Sequence, residues 1–453
     1  MTRHLPLSLA IVAAGFLVGR GVARALDLGN PPDAVSATTT VGLLPEPEEG
    51  AGQRHEDDDE REDPATAPPA AAVPPSEDAS DEEDLGGAVT PAPAAPRKFE
   101  VGVDLKAALD SLRRDGRGLS ALRGGRPQAT TLQPELQSAA ENLLRDYRVP
   151  AGAIVAMDPR TGQVLAAAGY SDDGSFGREL AVVPLAPAAS IFKIVTGAAL
   201  LEKGVAATTE SCFSGGKRRV RERDLKKEGG PRCVSFSEAM AKSANIPFAR
   251  MTRDHLQPTD LRRWASAFLF NRALPGGVPP SAARIPDVAD MDFFRTGAGF
   301  GDVRLSALHG ALLAATVANG GVMPAPVWFK DEPTANRRRV MDANTAATLG
   351  TMMERTVTEG TARRAFRERR RPALGDIRVA GKTGSLAEQA PFRDYSWFVG
   401  YAPADNPTVV VSTFVMNNAE WRIRASYVGR EMLRAQLVKG HRVYRPVEDV
   451  AHR

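Results

Sequence analysis

The chain has 453 residues, 43% hydrophobic and 25% charged, an ordinary globular balance with room for two or three domains. The net charge is only +3; basic clusters at 217–227 and 363–371 come with no base-stacking or base-reading motif, which argues against a nucleic-acid partner. Six scattered histidines and two cysteines give no ligand spacing, so no metal and no other cofactor is expected. Cys212 and Cys233 are compatible with one disulfide in an oxidising compartment, without requiring it.

Along the chain, Arg3 and His4 precede an apolar run, 5–19, closed by Arg20. It is shorter than the roughly 20 apolar residues of a spanning helix, and Ala23-Arg24-Ala25 offers a small-x-small cleavage pattern. Residues 1–25 therefore read as a signal peptide or a retained membrane anchor, and either places the remainder outside the cytoplasm. Residues 26–97 are rich in Pro, Ala, Asp and Glu, with acidic runs at 56–63 and 77–84. Such a composition buries too little apolar surface to offset its ordering entropy, so a disordered tether is expected.

A short lead-in, 98–131, precedes a domain over 132–440 and a tail over 441–453. Apolar spacing predicts a helix over 132–147. Strands are expected at 152–157 and 163–168, joined by the turn Asp158-Pro159-Arg160-Thr161-Gly162. Helices follow at 191–202, 235–253, 259–270, 306–318 and 345–358, the first stopped by Gly204. Strands at 377–385, 396–401 and 408–416 and a helix over 423–438 complete the domain. Strands at both ends with helices between them predict an α/β fold: one antiparallel sheet flanked by helices, with an inserted, mostly helical lobe. The cleft between sheet and lobe is the expected active site.

Three short motifs carry the chemistry. In Ser190-Ile191-Phe192-Lys193 the two polar residues share one helical face. A serine hydroxyl needs a base, and a buried lysine can serve because desolvation lowers its pKa. Ser243-Ala244-Asn245, at a helix–loop junction before Ile246-Pro247, offers a hydroxyl to relay a proton and a side-chain amide to hydrogen-bond a substrate amide. Lys382-Thr383-Gly384-Ser385 ends a β-branched strand, with Gly384 allowing close backbone approach. Lys382, Thr383 and Ser385 suit a carboxylate, and the backbone N–H groups of Ser190 and Ser385 are candidates for an oxyanion hole. Each motif alone is commonplace.

The ordered combination Ser-x-x-Lys, Ser-x-Asn, Lys-Thr-Gly resembles that of penicillin-binding proteins and related β-lactamases. The flanks Met157-Asp158-Pro159-Arg160-Thr161-Gly162, Thr296-Gly297-Ala298-Gly299-Phe300-Gly301, Glu359-Gly360-Thr361-Ala362 and Trp397-Phe398-Val399-Gly400-Tyr401 are similar to those of the monofunctional, class B-like transpeptidase domain. The chain has Ala188-Ala189 where that family usually has Pro-Gly before the serine. The resemblance implies a D,D-transpeptidase that cross-links peptidoglycan stem peptides. Ser190 would be the nucleophile, Lys193 its base and Ser243 the proton shuttle. Asn245 would hold the substrate amide, and Lys382, Thr383, Gly384 and Ser385 would bind the terminal carboxylate region. It also implies β-lactams as ligands and allows a place in a cell-wall synthesis complex; the membrane is a partner through the N-terminus if that is uncleaved. A D,D-carboxypeptidase, a β-lactamase-type hydrolase and a non-catalytic β-lactam sensor or scaffold are the competing readings.

Overall fold

The structure is a computed structural model that describes residues 105–440, apart from 117, 215–219, 227–228, 275–276, 390–391, 419–422 and 439. The expected signal or anchor, the tether and the tail lie outside the described residues. Among those described, no helix is long and apolar enough to cross a membrane.

The centre of the sheet is built from strands too apolar for a half-exposed surface. β1 (Ala151–Met157) and β2 (Val164–Ser171) come before the helical block, and β3 (Ala380–Gln389), β4 (Phe392–Ala402) and β5 (Val409–Asn417) after it. The spatial order is β3-β4-β5-β1-β2, every pair antiparallel. The two ends of the domain meet where Thr413 of β5 faces Ile154 of β1. This is the expected α/β sheet, and β3, which carries Lys382-Thr383-Gly384-Ser385, is a free edge.

Period-two alternation sends the side chains to two different cores. Ile154, Ala156, Val411 and Val415 point to one face, where they meet α1 (Pro134–Asp146) and the C-terminal helix Ala425–Leu437. Ala153, Val155, Val410 and Phe414 point to the other face and the inserted lobe. β1 and β5 are covered on both faces, which is why they read as unbroken apolar runs.

The lobe contains α2 (Lys193–Glu202), α3 (Phe236–Ala241), α4 (Asn245–His255), α5 (Pro258–Ala267), α6 (Met291–Gly297), α7 (Ala307–Ala318) and α8 (Ala343–Thr358). α7 is apolar all round and buried from Ala307 to Val317, so it packs on the sheet and on the lobe at once. The C-terminal helix is α9. A disulfide, Cys212–Cys233, joins the short strands Glu210–Phe213 and Arg232–Ser235 at the lobe's surface. Arg250 of α4 holds this hairpin by donating to the carbonyls of Cys212 and Asp224.

Four expectations change in detail. The strand expected at 377–385, with Lys382-Thr383-Gly384-Ser385 at its end, runs from Ala380 to Gln389 with the motif toward its start. The helix expected over 235–253 is two helices, α3 and α4. Ser243 N–H closes on Met240 O at 3.2 Å and Ala244 N–H on Ala239 O at 2.8 Å. That pattern ends a helix with a left-handed residue, usually glycine, and here it is Ser243 at φ +52°. The helix expected from 191 starts at Lys193, after a 3₁₀ turn over Ala189–Phe192. The lead-in contains a helix, Leu105–Asp110, and a three-stranded meander ending at Ala129. Leu105, Leu109 and Ala121 enter the same core as the lobe.

Candidate active site

Ser190 lies in the 3₁₀ turn that feeds α2. The chain reaches it along a short strand, Ala186–Pro187, paired with Arg304–Leu305. Trp397 of β4 anchors that strand by donating from Nε1 to Pro187 O at 2.8 Å. Ala189 then turns through φ +48°, a left-handed conformation that costs an L-residue about 1 kcal/mol. Gly299 underlies the turn: a Cβ there would sit 2.8 Å from Ala189 O and 3.0 Å from Ser190 Cα.

One turn on, Lys193 is fully buried. Its Nζ is 2.9 Å from Ser190 Oγ, 2.7 Å from Asn245 Oδ1 and 2.7 Å from Ala298 O. The last two are acceptors only, so each takes an N–H. Burial, and then the charge of Lys382, holds Lys193 well below the ordinary lysine range. A neutral amine has two N–H groups and one lone pair. With both protons committed to Asn245 and Ala298, the lone pair is left for the Ser190 proton.

The second serine forms a second pair. Lys382, on β3 and also fully buried, donates to Ser243 Oγ at 2.9 Å and to Thr383 O at 3.0 Å. Burial brings it down to about 7. Because the Lys382 N–H occupies a lone pair on Ser243, the Ser243 proton is free to point elsewhere. Thr383 is half-buried and Ser385 exposed along the same edge strand.

The structure therefore brings Ser190, Lys193, Ser243, Asn245 and Lys382-Thr383-Gly384-Ser385 together at the junction of sheet and lobe. It gives Gly384 a different reason from the one expected. A Cβ there would lie 3.1 Å from Ile191 Cγ1 and 3.2 Å from Ala188 O, so the backbone that approaches is the nucleophile turn itself. This packing also sets the chain at Ser385 beside the chain at Ser190. Asn245 is engaged with Lys193, a contact the motif alone did not indicate.

Sequence reasoning placed three participants in family-like flanks without giving them a role. Ala298 acts through a backbone carbonyl, which leaves no residue signature, although its glycine neighbours mark a tight turn. Trp397 reads as core, and only its buried N–H demands a partner. Thr361 was noted in a family-like flank without a role, and its hydroxyl lies 2.5 Å from that of Thr383.

Fold and site together define a class: serine enzymes built to carry an acyl group beside a buried lysine. Within it the chain belongs to the penicillin binding protein transpeptidase domain family, which matches residues 152–434. The peptidoglycan D,D-transpeptidase PbpA of Mycobacterium tuberculosis is 28% identical over 369 residues, covering 70% of this chain and 73% of that protein. Stage V sporulation protein D of Bacillus subtilis is 27% identical over 321 residues, covering 63% of this chain and 48% of that one. Among solved structures, penicillin-binding protein A from M. tuberculosis in an imipenem acyl-enzyme complex aligns with a TM-score of 0.56 at 26% identity. That alignment covers 70% of this chain and 81% of the other.

Proposed function

We propose that the chain is a D,D-transpeptidase that cross-links peptidoglycan stem peptides through an acyl-enzyme on Ser190. The observation that carries this is the contact set of Lys193, whose two fixed acceptors leave its lone pair to Ser190. Ser190 Oγ gives its proton to Lys193 Nζ and attacks the carbonyl between the last two residues of a D-alanyl-D-alanine terminus. The backbone N–H groups of Ser190 and Ser385 stabilise the oxyanion. The C–N bond breaks, and the leaving D-alanine amine takes a proton through Ser243. An amine from a second stem peptide then attacks the ester, returns its proton to the lysine–serine system, and frees Ser190.

Asn245 braces Lys193 and lines the path of the substrate amide. Lys382, Thr383 and Ser385 receive the terminal carboxylate, with Gly384 keeping their strand against the nucleophile turn. β-Lactams acylate Ser190 by the same route. The catalytic domain, 132–440, works outside the cytoplasm, where the Cys212–Cys233 bond is sustained. The N-terminal apolar run holds it to the membrane, within reach of a cell-wall synthesis complex.

The test is to incubate the protein with a D-alanyl-D-alanine stem peptide and an amine-bearing acceptor peptide. Release of D-alanine with formation of the cross-linked peptide is expected. Rapid turnover of nitrocefin without peptide transfer would contradict the proposal in favour of a hydrolase.

A further inference from the structure

The run Glu359-Gly360-Thr361-Ala362 has no part in the steps above, yet it lies against two elements of the site. After α8 the chain turns over the end of α3, and Thr361 N–H donates to Ala241 O at 3.1 Å. A Cβ on Gly360 would lie 2.1 Å from the same oxygen, so the close approach requires glycine. Ala241 ends α3, two residues before Ser243. From this fixed backbone the Thr361 hydroxyl reaches the Thr383 hydroxyl at 2.5 Å. Thr361 thus joins the turn that carries Ser243 to the strand that carries Lys382.

The chemistry of two touching hydroxyls gives the contact a direction. Each has one proton, and only one of them donates within the pair. A carboxylate accepts only. When the Thr383 proton turns to a bound carboxylate, Thr361 becomes the donor of the pair. That donation fixes the rotor of Thr383 and polarises its O–H, strengthening the outer bond. A neutral ligand terminus gains less, because bonds to charged acceptors are the stronger ones.

We propose that Thr361 is a positioning residue for recognition of the ligand's carboxylate, acting through the Thr383 hydroxyl. The proposal rests on the acyl-enzyme reading of Ser190. Thr361 is exposed, and valine nearly keeps its shape, so the fold tolerates Thr361→Val.

The test compares acylation rate constants of the full chain for benzylpenicillin and its methyl ester, which keeps the lactam and lacks the charge. Thr361→Val should lose roughly five- to tenfold with benzylpenicillin, the size of one hydrogen bond, and less than about twofold with the ester. Thr361→Ser should restore the benzylpenicillin rate. In a Thr383→Val background, Thr361→Val should change nothing further. Equal loss with both ligands, no loss, or failure of the serine variant to restore the rate overturns the proposal. A wild type that neither ligand acylates removes the Ser190 reading itself, a distinct result that takes this proposal with it.

Discussion

The site contains two serine–lysine pairs with the same 2.9 Å contact and opposite construction. Ser190 and Lys193 are three residues apart on one turn, whereas Ser243 and Lys382 are 139 residues apart and meet only because sheet and lobe close on each other. Both lysines are fully buried. Lys193 also has two fixed acceptors and a neighbouring cation, so it is prepared as a neutral base. Among the described residues Lys382 has only the serine and its own strand's carbonyl, and at about 7 it is divided between its two forms near neutrality. Identical residue types thus reach different proton states through what surrounds them. Each pair also depends on a left-handed residue that glycine would fill more easily, Ala189 before Ser190 and Ser243 itself. At Ser243 the hydroxyl justifies the strain. At Ala189 no side-chain contact among the described residues does.

Removing Lys193 should break the comparison hardest. Lys193→Ala should lower acylation by benzylpenicillin roughly 10³-fold, within the range for loss of a general base, measured by stopped-flow or quenched labelling. Lys382→Ala should cost less, roughly 10²-fold, because a charge-assisted bond to the carboxylate is lost while the base remains.

The pH profile separates the pairs more finely. Acylation needs Lys193 neutral and Lys382 charged. Raising pH through about 7 discharges Lys382, so the rate with free enzyme should fall on the alkaline side from about 7. Lowering pH protonates Lys193, giving the acid limb. Lys382→Arg keeps its charge and should move the alkaline limb upward while leaving the acid limb. An unmoved alkaline limb would assign it to another group. The smallest effect is at the strained alanine: Ala189→Gly should raise stability by about 1 kcal/mol in chemical denaturation, with acylation retained.

The centre of the sheet was legible because β1 and β5 are covered on both faces, and Val409-Val410-Val411 can hardly read otherwise. The motif residues were legible as chemistry, and Ser190 and Lys193 even as neighbours, since local spacing sets that contact. The meeting of Ser243 with Lys382 was not, because it is made by tertiary closure. The break at Ser243 was half legible: apolar spacing runs one helix over 235–253, while Ser243-Ala244-Asn245 before Ile246-Pro247 also reads as a helix–loop junction, which is where the chain turns. Short polar strands such as Arg113–Asp115 and Arg126–Ala129 lack the alternation that betrays a strand, which concealed the meander. Thr361 sits where a sequence reader sees only the polar end of α8.

Fluorescent penicillin should label the wild type stoichiometrically, with peptide mass mapping placing the adduct on the peptide that contains Ser190. Ser190→Ala should show no adduct. Equal labelling of the two proteins, or an adduct mapped to Ser243, would contradict the assignment.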